Sequence, residues 1–220
     1  MPKQEIIAID LGNSGGKVIS ASVGPDHLET EEIHRFDNGP ITVQNRIYWD
    51  VFRLFQEIKN SLQKYVNNNQ RDPLSIGIDT WGVDYGLFEK SGRLLSQPVN
   101  YRDARTKGLM EKAFNQVSKE KIFTETGIQF MEINTLYQLL SQKLENTKIL
   151  QTADDLLMMP GIFNYFLTGN KATEFTMATT SQLYNSVEGE WAKPLFQEFG
   201  LPEEVMQDVV PPGTRIGKLT

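Results

Sequence analysis

Apolar positions in this chain recur with two periods, and the change from one period to the other marks out its elements. Ile6, Ile7, Ala8 and Ile9 form a short apolar run that stops on Asp10, and Val18-Ile19-Ser20-Ala21-Ser22-Val23 resumes a strand pattern beyond a turn of small residues. That turn is therefore expected to join two antiparallel strands. Residues 28–36 alternate partially and read as a third, edge-like strand, ended by Asn38-Gly39-Pro40. Trp49 and Asp50 then open a helix with Asp50 as its N-cap, along which Val51, Leu54, Phe55, Ile58, Leu62 and Tyr65 recur as a core stripe. Residues 67–73 form a polar connector to a strand over 74–78, and residues 83–88 are expected to pair back beyond it, with Glu89-Lys90-Ser91-Gly92 as the next turn. From Ala104 onward helices dominate, over 107–117, 119–125, 135–144 and 161–167, with Gly127 and Gly169 as closing caps. This is an α/β pattern. No repeat, low-complexity segment or linker divides it, so one domain over residues 1–220 is expected.

Composition narrows the partners. A formal charge of −6 without a basic run argues against a nucleic-acid surface, which needs clustered cations for its phosphate contacts. The apolar stretches at 156–159 and 162–167, interrupted by Pro160 and Gly161, fall well short of the roughly 20 residues of a membrane span. Pro2-Lys3-Gln4-Glu5 leads into a strand and not into the apolar region of a signal peptide, and the absence of cysteine excludes disulfides and thiolate zinc sites. A cytoplasmic protein that binds neither nucleic acid nor membrane is expected. His27 and His34 have no partner at metal-ligand spacing, and Met158, Met159, Phe163, Tyr165 and Phe166 read as core.

The candidate chemistry begins where the first apolar run ends, at Asp10-Leu11-Gly12-Asn13-Ser14-Gly15-Gly16-Lys17. A strand that delivers Asp10 to the lip of a sheet, followed by glycines able to adopt positive φ at Gly12, Gly15 and Gly16, would aim backbone N–H groups at an anion. Ser14 adds a hydroxyl and Lys17 a cation. The segment is not a P-loop, because G-x-x-x-x-G-K-[ST] is absent and a strand follows instead of a helix. A glycine-rich hairpin without a ligand is the alternative. The same grammar recurs in Ile76-Gly77-Ile78-Asp79-Thr80-Trp81-Gly82-Val83-Asp84-Tyr85-Gly86, where a second apolar strand ends on aspartate.

These two segments, with Pro98-Val99-Asn100-Tyr101-Arg102-Asp103-Ala104-Arg105-Thr106, resemble the amino-terminal half of the FGGY carbohydrate kinases, within the actin/hexokinase superfamily. The likeness continues through Thr126-Gly127-Ile128-Gln129-Phe130, Asn134-Thr135-Leu136-Tyr137-Gln138-Leu139, Leu157-Met158-Met159-Pro160 and residues 174–183, and so covers nearly the whole chain in order. It implies an actin/hexokinase-like (ribonuclease H-like) α/β fold with a mixed sheet flanked by helices, and phosphoryl transfer from ATP to a primary hydroxyl of a ketose. By resemblance Asp10 orients Mg²⁺ through water, while Asn13, Ser14, Gly15, Gly16 and Lys17 hold the terminal phosphates. Trp81, Gly82, Asp84, Tyr101, Arg102 and Asp103 seat the sugar, with Trp81 offering a flat face and Gly82 a close backbone approach.

The resemblance also implies a second, carboxy-terminal domain carrying the general base and the adenosine pocket, both expected beyond Thr220. Two positions depart from the family pattern: Gly15 stands where serine is common and Lys17 where arginine is common, which keeps the charge but loses the bidentate fork. Asp79 reads as a site residue or as a stabiliser of its own turn, and Asp84, Arg102 and Asp103 as a sugar-binding patch or as an ordinary ion pair. Gln129, Asn134 and Gln138 stand between sugar contacts and helix-end packing. A sister sugar kinase with different sugar-loop chemistry is one alternative. A non-catalytic sugar-binding protein on the same fold is another, disfavoured because it would not need Asp10 and the glycines.

Overall fold

The computed structural model describes residues 4–70, 72–145 and 148–220. In chain order it runs β1 (Gln4–Leu11), β2 (Gly15–Gly24), β3 (His27–Asp37), β4 (Ile41–Val43), β5 (Arg46–Tyr48), α1 (Val51–Asn69), β6 (Ser75–Asp79) and β7 (Tyr85–Phe88). There follow α2 (Leu109–Gln116), α3 (Lys119–Thr126), α4 (Thr135–Leu144), α5 (Lys148–Thr152), β8 (Asp155–Met158), α6 (Met159–Thr168), β9 (Thr173–Glu174) and α7 (Phe175–Thr180). The short elements β10 (Tyr184–Asn185), β11 (Glu190–Trp191), α8 (Lys193–Phe199) and β12 (Val209–Val210) complete it. Internal packing divides the chain into two units, residues 1–41 with 49–81 and residues 42–48 with 82–220.

The first unit is a four-stranded mixed sheet in the order β3-β2-β1-β6. The meander of β1, β2 and β3 is antiparallel, as the alternation predicts, and β6 adds parallel to β1 after the chain has crossed over through α1. Ile7, Ile9 and Leu11 on β1 and Val18 and Ala21 on β2 are buried together with Val51, Leu54, Ile58 and Tyr65 of α1. Phe55 and Leu62 flank that stripe half-buried. Asp50 caps α1 as expected, its carboxylate accepting from Arg53 N at 3.0 Å. The polar connector begins later than residue 67, because α1 runs on through Asn69 and closes on Gln70 in the left-handed region, whose N–H reaches Val66 O at 2.7 Å. Arg71 of that connector, like Pro2 and Lys3 of the leading segment, lies outside the described residues.

Helices are the longer elements of the second unit. Its core joins Leu109 and Ala113 of α2, Ile122 of α3, Leu136, Tyr137, Leu139 and Leu140 of α4, and Leu195, Phe196 and Phe199 of α8. Residues 135–142 of α4 are all buried, so this helix has core on every side. Gly127 and Gly169 close α3 and α6 at φ 67° and 73°, where a left-handed cap favours glycine. The described chain ends against α6, where Thr220 N donates to Leu167 O at 3.0 Å. One pairing differs from the sequence reading. Strand β7 lies antiparallel to β8, from Tyr85 opposite Met158 to Phe88 opposite Asp155, and not against the strand before it. The apolar stretch 155–158 thereby supplies the partner, and Met158, Met159 and Phe163 are buried as core.

Candidate functional site

In the first unit, register assembles a row of charges across the sheet. Asp10 on β1 lies opposite Lys17 on β2 and beside Asp79 on β6, while Lys17 in turn lies opposite Arg35 on β3. Opposed residues share a face, and Ile7, Ile9 and Leu11 occupy the buried one, so Asp10 projects from the other side. Lys17 Nζ sits 3.0 Å from Asp10 Oδ2, with both side chains partly open to solvent. Arg35, which sequence reasoning missed, is held on its own strand by Glu32 at 2.5 Å. Its signal is only its place in a charged strand; its position beside Lys17 is a product of register.

The turn that joins β1 to β2 is tighter than the glycine reading required. Gly12 N donates to Gly15 O at 2.8 Å, leaving Asn13 and Ser14 at the tip. Positive φ was expected at Gly12, Gly15 and Gly16, yet none of the three is among the residues in that region. Space is the reason for glycine here. A Cβ on Gly16 would overlap the ring of Phe36 and come 3.1 Å from Leu11 Cδ2, and one on Gly12 would press on Gly15 O at 3.2 Å. Asn38 clasps the turn from the end of β3: its Nδ2 donates to Gly12 O at 2.7 Å and its N–H to Ser14 O at 3.1 Å. The sequence reading saw Asn38 only as a strand terminator.

The donor set at this edge suits a phosphate: a lysine ammonium, an exposed serine hydroxyl and a turn whose tip, Asn13 and Ser14, is flanked by glycines. Among the described residues no group of three or more His, Cys, Asp or Glu side chains is arranged to hold a metal ion. Asp10 beside Asp79 fits the sparser way in which Mg²⁺ is held, by one or two carboxylates with water and substrate phosphates completing the shell. Trp81 closes the unit. It stacks at 4.1 Å and 36° on Trp49, which is fully buried, and is itself half-buried.

In the second unit Gly82, Val83 and Asp84 form a three-residue turn, with Asp84 N donating to Gly82 O at 2.9 Å and Val83 at φ 67°. A Cβ on Gly82 would lie 2.8 Å from Thr180 Cγ2, so only glycine fits against α7. The side chain of Asp84 is fully buried: Oδ1 accepts from Gln138 Nε2 at 2.9 Å and Oδ2 from Tyr101 N at 3.2 Å. Gln138 Oε1 accepts from Arg105 Nη2 at 2.6 Å. Beside this network the Tyr85 hydroxyl donates to Gln142 Oε1 at 2.9 Å; burial first, and the nearby Asp84 carboxylate, push its pKa up to about 12 against the opposing pull of Arg105, so it stays a neutral donor.

Asp103 is also buried, and it ties two segments together. Its Oδ2 accepts from Ile47 N, and Oδ1 accepts from Arg105 N and Arg46 Nη1, each at 2.9 Å. Burial alone would raise its pKa, but the two backbone N–H groups and the Arg46 guanidinium outweigh it and hold the carboxyl below the usual range. Arg46 also pairs with Glu145. Asp84 and Asp103 were expected to contact a sugar directly. Their oxygens are turned inward onto protein donors, because a desolvated carboxylate needs such partners, and both serve their loops. Arg102 is exposed, its guanidinium 5.2 Å from the centre of the Tyr101 ring, and its N–H is held by Asn100 Oδ1 at 2.8 Å. Asn134 donates to Thr180 O at 3.2 Å, Gln138 is fully buried, and Gln129 takes no part in these bonds. The general base expected beyond Thr220 falls outside the described residues.

Residues 5–220 match the FGGY family of carbohydrate kinases, N-terminal domain. The chain is 42% identical over 213 residues to the rhamnulokinase of Oceanobacillus iheyensis, covering 97% of this chain and 45% of that one. It is 41% identical over 218 residues to the rhamnulokinase of Bacteroides thetaiotaomicron, covering 99% and 45%. The chain thus spans less than half the length of these relatives. Among solved structures it resembles the gluconate kinase of Lactobacillus acidophilus, with a TM-score of 0.86 at 17% identity over 99% of this chain and 44% of that one. The ligand-bound xylulose kinase of the same organism gives 0.84 at 17% identity, again over 99% and 44%. At that identity the likeness is one of fold.

Proposed function

The chain belongs to the FGGY family of carbohydrate kinases, and on that premise we propose that it forms the amino-terminal part of an ATP-dependent ketose kinase, specifically a rhamnulokinase that converts L-rhamnulose to L-rhamnulose 1-phosphate. The observation that carries the kinase reading is the meeting of Asp10, Lys17 and Asp79 at one sheet edge beside the Gly12 turn. The choice of L-rhamnulose rests on identity near 40% to rhamnulokinases along nearly all of the chain. The general base and the adenosine pocket belong, in this reading, to a second domain beyond Thr220.

Catalysis here is positioning and charge neutralisation. Lys17 and the hydroxyl of Ser14 hold the terminal phosphates of ATP, with the backbone of Asn13, Gly15 and Gly16 shaping the approach. Lys17 is released from Asp10 as the phosphates arrive, since a charge-assisted bond to phosphate replaces one to a carboxylate half open to water. A bound Mg²⁺ supplies charge neutralisation on the phosphates, and Asp10, with Asp79 beside it, would orient its water shell. Of the residues assigned to the sugar, Trp81 offers an open face, Gly82 allows close backbone approach, and Tyr101 and Arg102 offer polar groups. Asp84 and Asp103 act indirectly, by fixing the loops that carry Gly82 and Tyr101.

The test is turnover of the protein extended by the second domain of its relatives, assayed by ADP release against L-rhamnulose, L-fuculose, L-xylulose and D-gluconate. L-rhamnulose is expected to exceed the others in kcat/KM by at least about tenfold. Preference for another sugar would reassign the substrate, and no sugar-dependent release at all would remove the kinase reading. Asp10→Asn should lower kcat by about 10²-fold while the KM for the ketose moves less than about threefold, since the metal and charge contacts act chiefly in the transition state.

A further inference from the structure

Val83 is the one β-branched residue in the left-handed region among the described residues, at φ 67°. Valine is a poor choice for that conformation, and such outliers persist only where the surroundings over-determine them. Here they do. The turn is closed by Asp84 N on Gly82 O at 2.9 Å, which is γ-turn geometry. Val83 N donates to Thr180 Oγ1 at 3.1 Å, and that hydroxyl donates onward to Met177 O at 2.8 Å. Val83 O accepts from Thr135 Oγ1 at 2.7 Å and from Gln138 Nε2 at 3.2 Å.

Thr135 and Gln138 stand at the start of α4, the helix buried on all sides, and both are fully buried. The same side chains reach further. Thr180 packs where a Cβ on Gly82 would lie, so it fixes both Gly82 and Val83. Gln138 holds Asp84 Oδ1, and Asp84 Oδ2 holds Tyr101 N, so the clamp extends to the second sugar loop through a single carboxylate. An ordinary connection between β6 and β7 would need no strained valine: a glycine at this position would make the same turn without a penalty.

We propose that Thr135, Gln138 and Thr180 are positioning residues that hold Val83 in a strained γ-turn, and that this clamp presets the Gly82 and Tyr101 backbones for the sugar. The proposal rests on the ketose-kinase reading above. Its benefit is preorganisation, because a loop already fixed in its bound form loses no further freedom when the sugar arrives.

Val83→Gly removes the strain and the rigidity together while leaving every hydrogen bond of the clamp possible, and Val83→Ala, which gives up nearly the same packing but keeps the strained φ, is its control and should keep the parent's KM for the ketose. In the extended enzyme, Val83→Gly and Thr180→Val are each expected to raise the KM for L-rhamnulose at least about fivefold with the KM for ATP within about twofold, and Thr180→Ser to restore it. Because Val83 is buried, its truncation to glycine also costs packing and lowers the melting temperature, so the KM is read well below the melting transition, where the variant is fully folded and loss of sugar affinity does not track unfolding. A ketose KM within twofold of the parent in Val83→Gly overturns the proposal while the kinase reading stands. An inactive parent enzyme overturns the kinase reading and the proposal with it. Where Thr180→Val does not fold, Val83→Gly alone decides.

Discussion

A Cβ on Gly15 would meet only Phe36 O, at 3.4 Å, an ordinary contact, whereas one on the adjacent Gly16 would overlap the buried ring of Phe36. Neither residue has positive φ, so space alone separates them. Gly16→Ala is therefore expected to destabilise the first unit by about 1–3 kcal/mol, the usual cost of overpacking. Gly15→Ser should stay within about 0.5 kcal/mol, as for a surface change, while adding a hydroxyl to the turn. Urea unfolding of the two variants checks both. Trp81 has two consequences at once, since one face stacks on Trp49 and the residue is only half-buried. Trp81→Ala should cost about 1–3 kcal/mol of stability and weaken ketose binding in the extended enzyme, and Trp81→Phe should recover most of both. Unchanged stability in Trp81→Ala would contradict the stack, and unchanged sugar affinity in its folded fraction would contradict the platform.

Elements whose partners are neighbours in the chain were legible in advance: the β1–β2–β3 meander, α1 with its Asp50 cap, and the glycine-closed helices α3 and α6. Strand β7 was misread because an apolar strand advertises that it pairs and not with what, and its partner β8 lies far along the chain. The Asp103 tie between β5 and the Tyr101 loop was invisible for the same reason, since nothing local marks Arg46 or Ile47 as its donors. This tie is pH-sensitive. A carboxyl held below its unfolded value of about 3.9 contributes stability that is complete above that range and disappears as pH falls through the lower folded value. Asp103→Asn should cost about 1–3 kcal/mol at pH 7, from partners left imperfectly matched, and the gap to the parent should narrow towards pH 3. Parallel melting curves across that range test it; a gap independent of pH would mean that the carboxylate charge contributes nothing to the tie.

At the scale of the whole molecule, the chain matches a family domain over residues 5–220 yet spans only 45% of its rhamnulokinase relatives. These residues alone, purified and folded, should show no sugar-dependent ADP release, because the proposed general base and adenosine pocket lie beyond Thr220; measurable release would place a base within them. Residue order by itself determined the family and most of the elements. Asp10 and Asp79 each end an apolar strand, the small residues between Asp10 and Lys17 mark a tight hairpin, and the repeated motifs match one family in order. Tertiary structure alone decided what those residues touch. Parallel register put Asp79 beside Asp10, burial turned Asp84 and Asp103 inward onto protein donors, and the start of α4 closed on Val83 with Thr180. The physical reason is that periodicity records which face of an element avoids water, a local property. The partner of a buried carboxylate or of a strained peptide depends on register and packing between segments distant in the chain, and no local pattern carries that information.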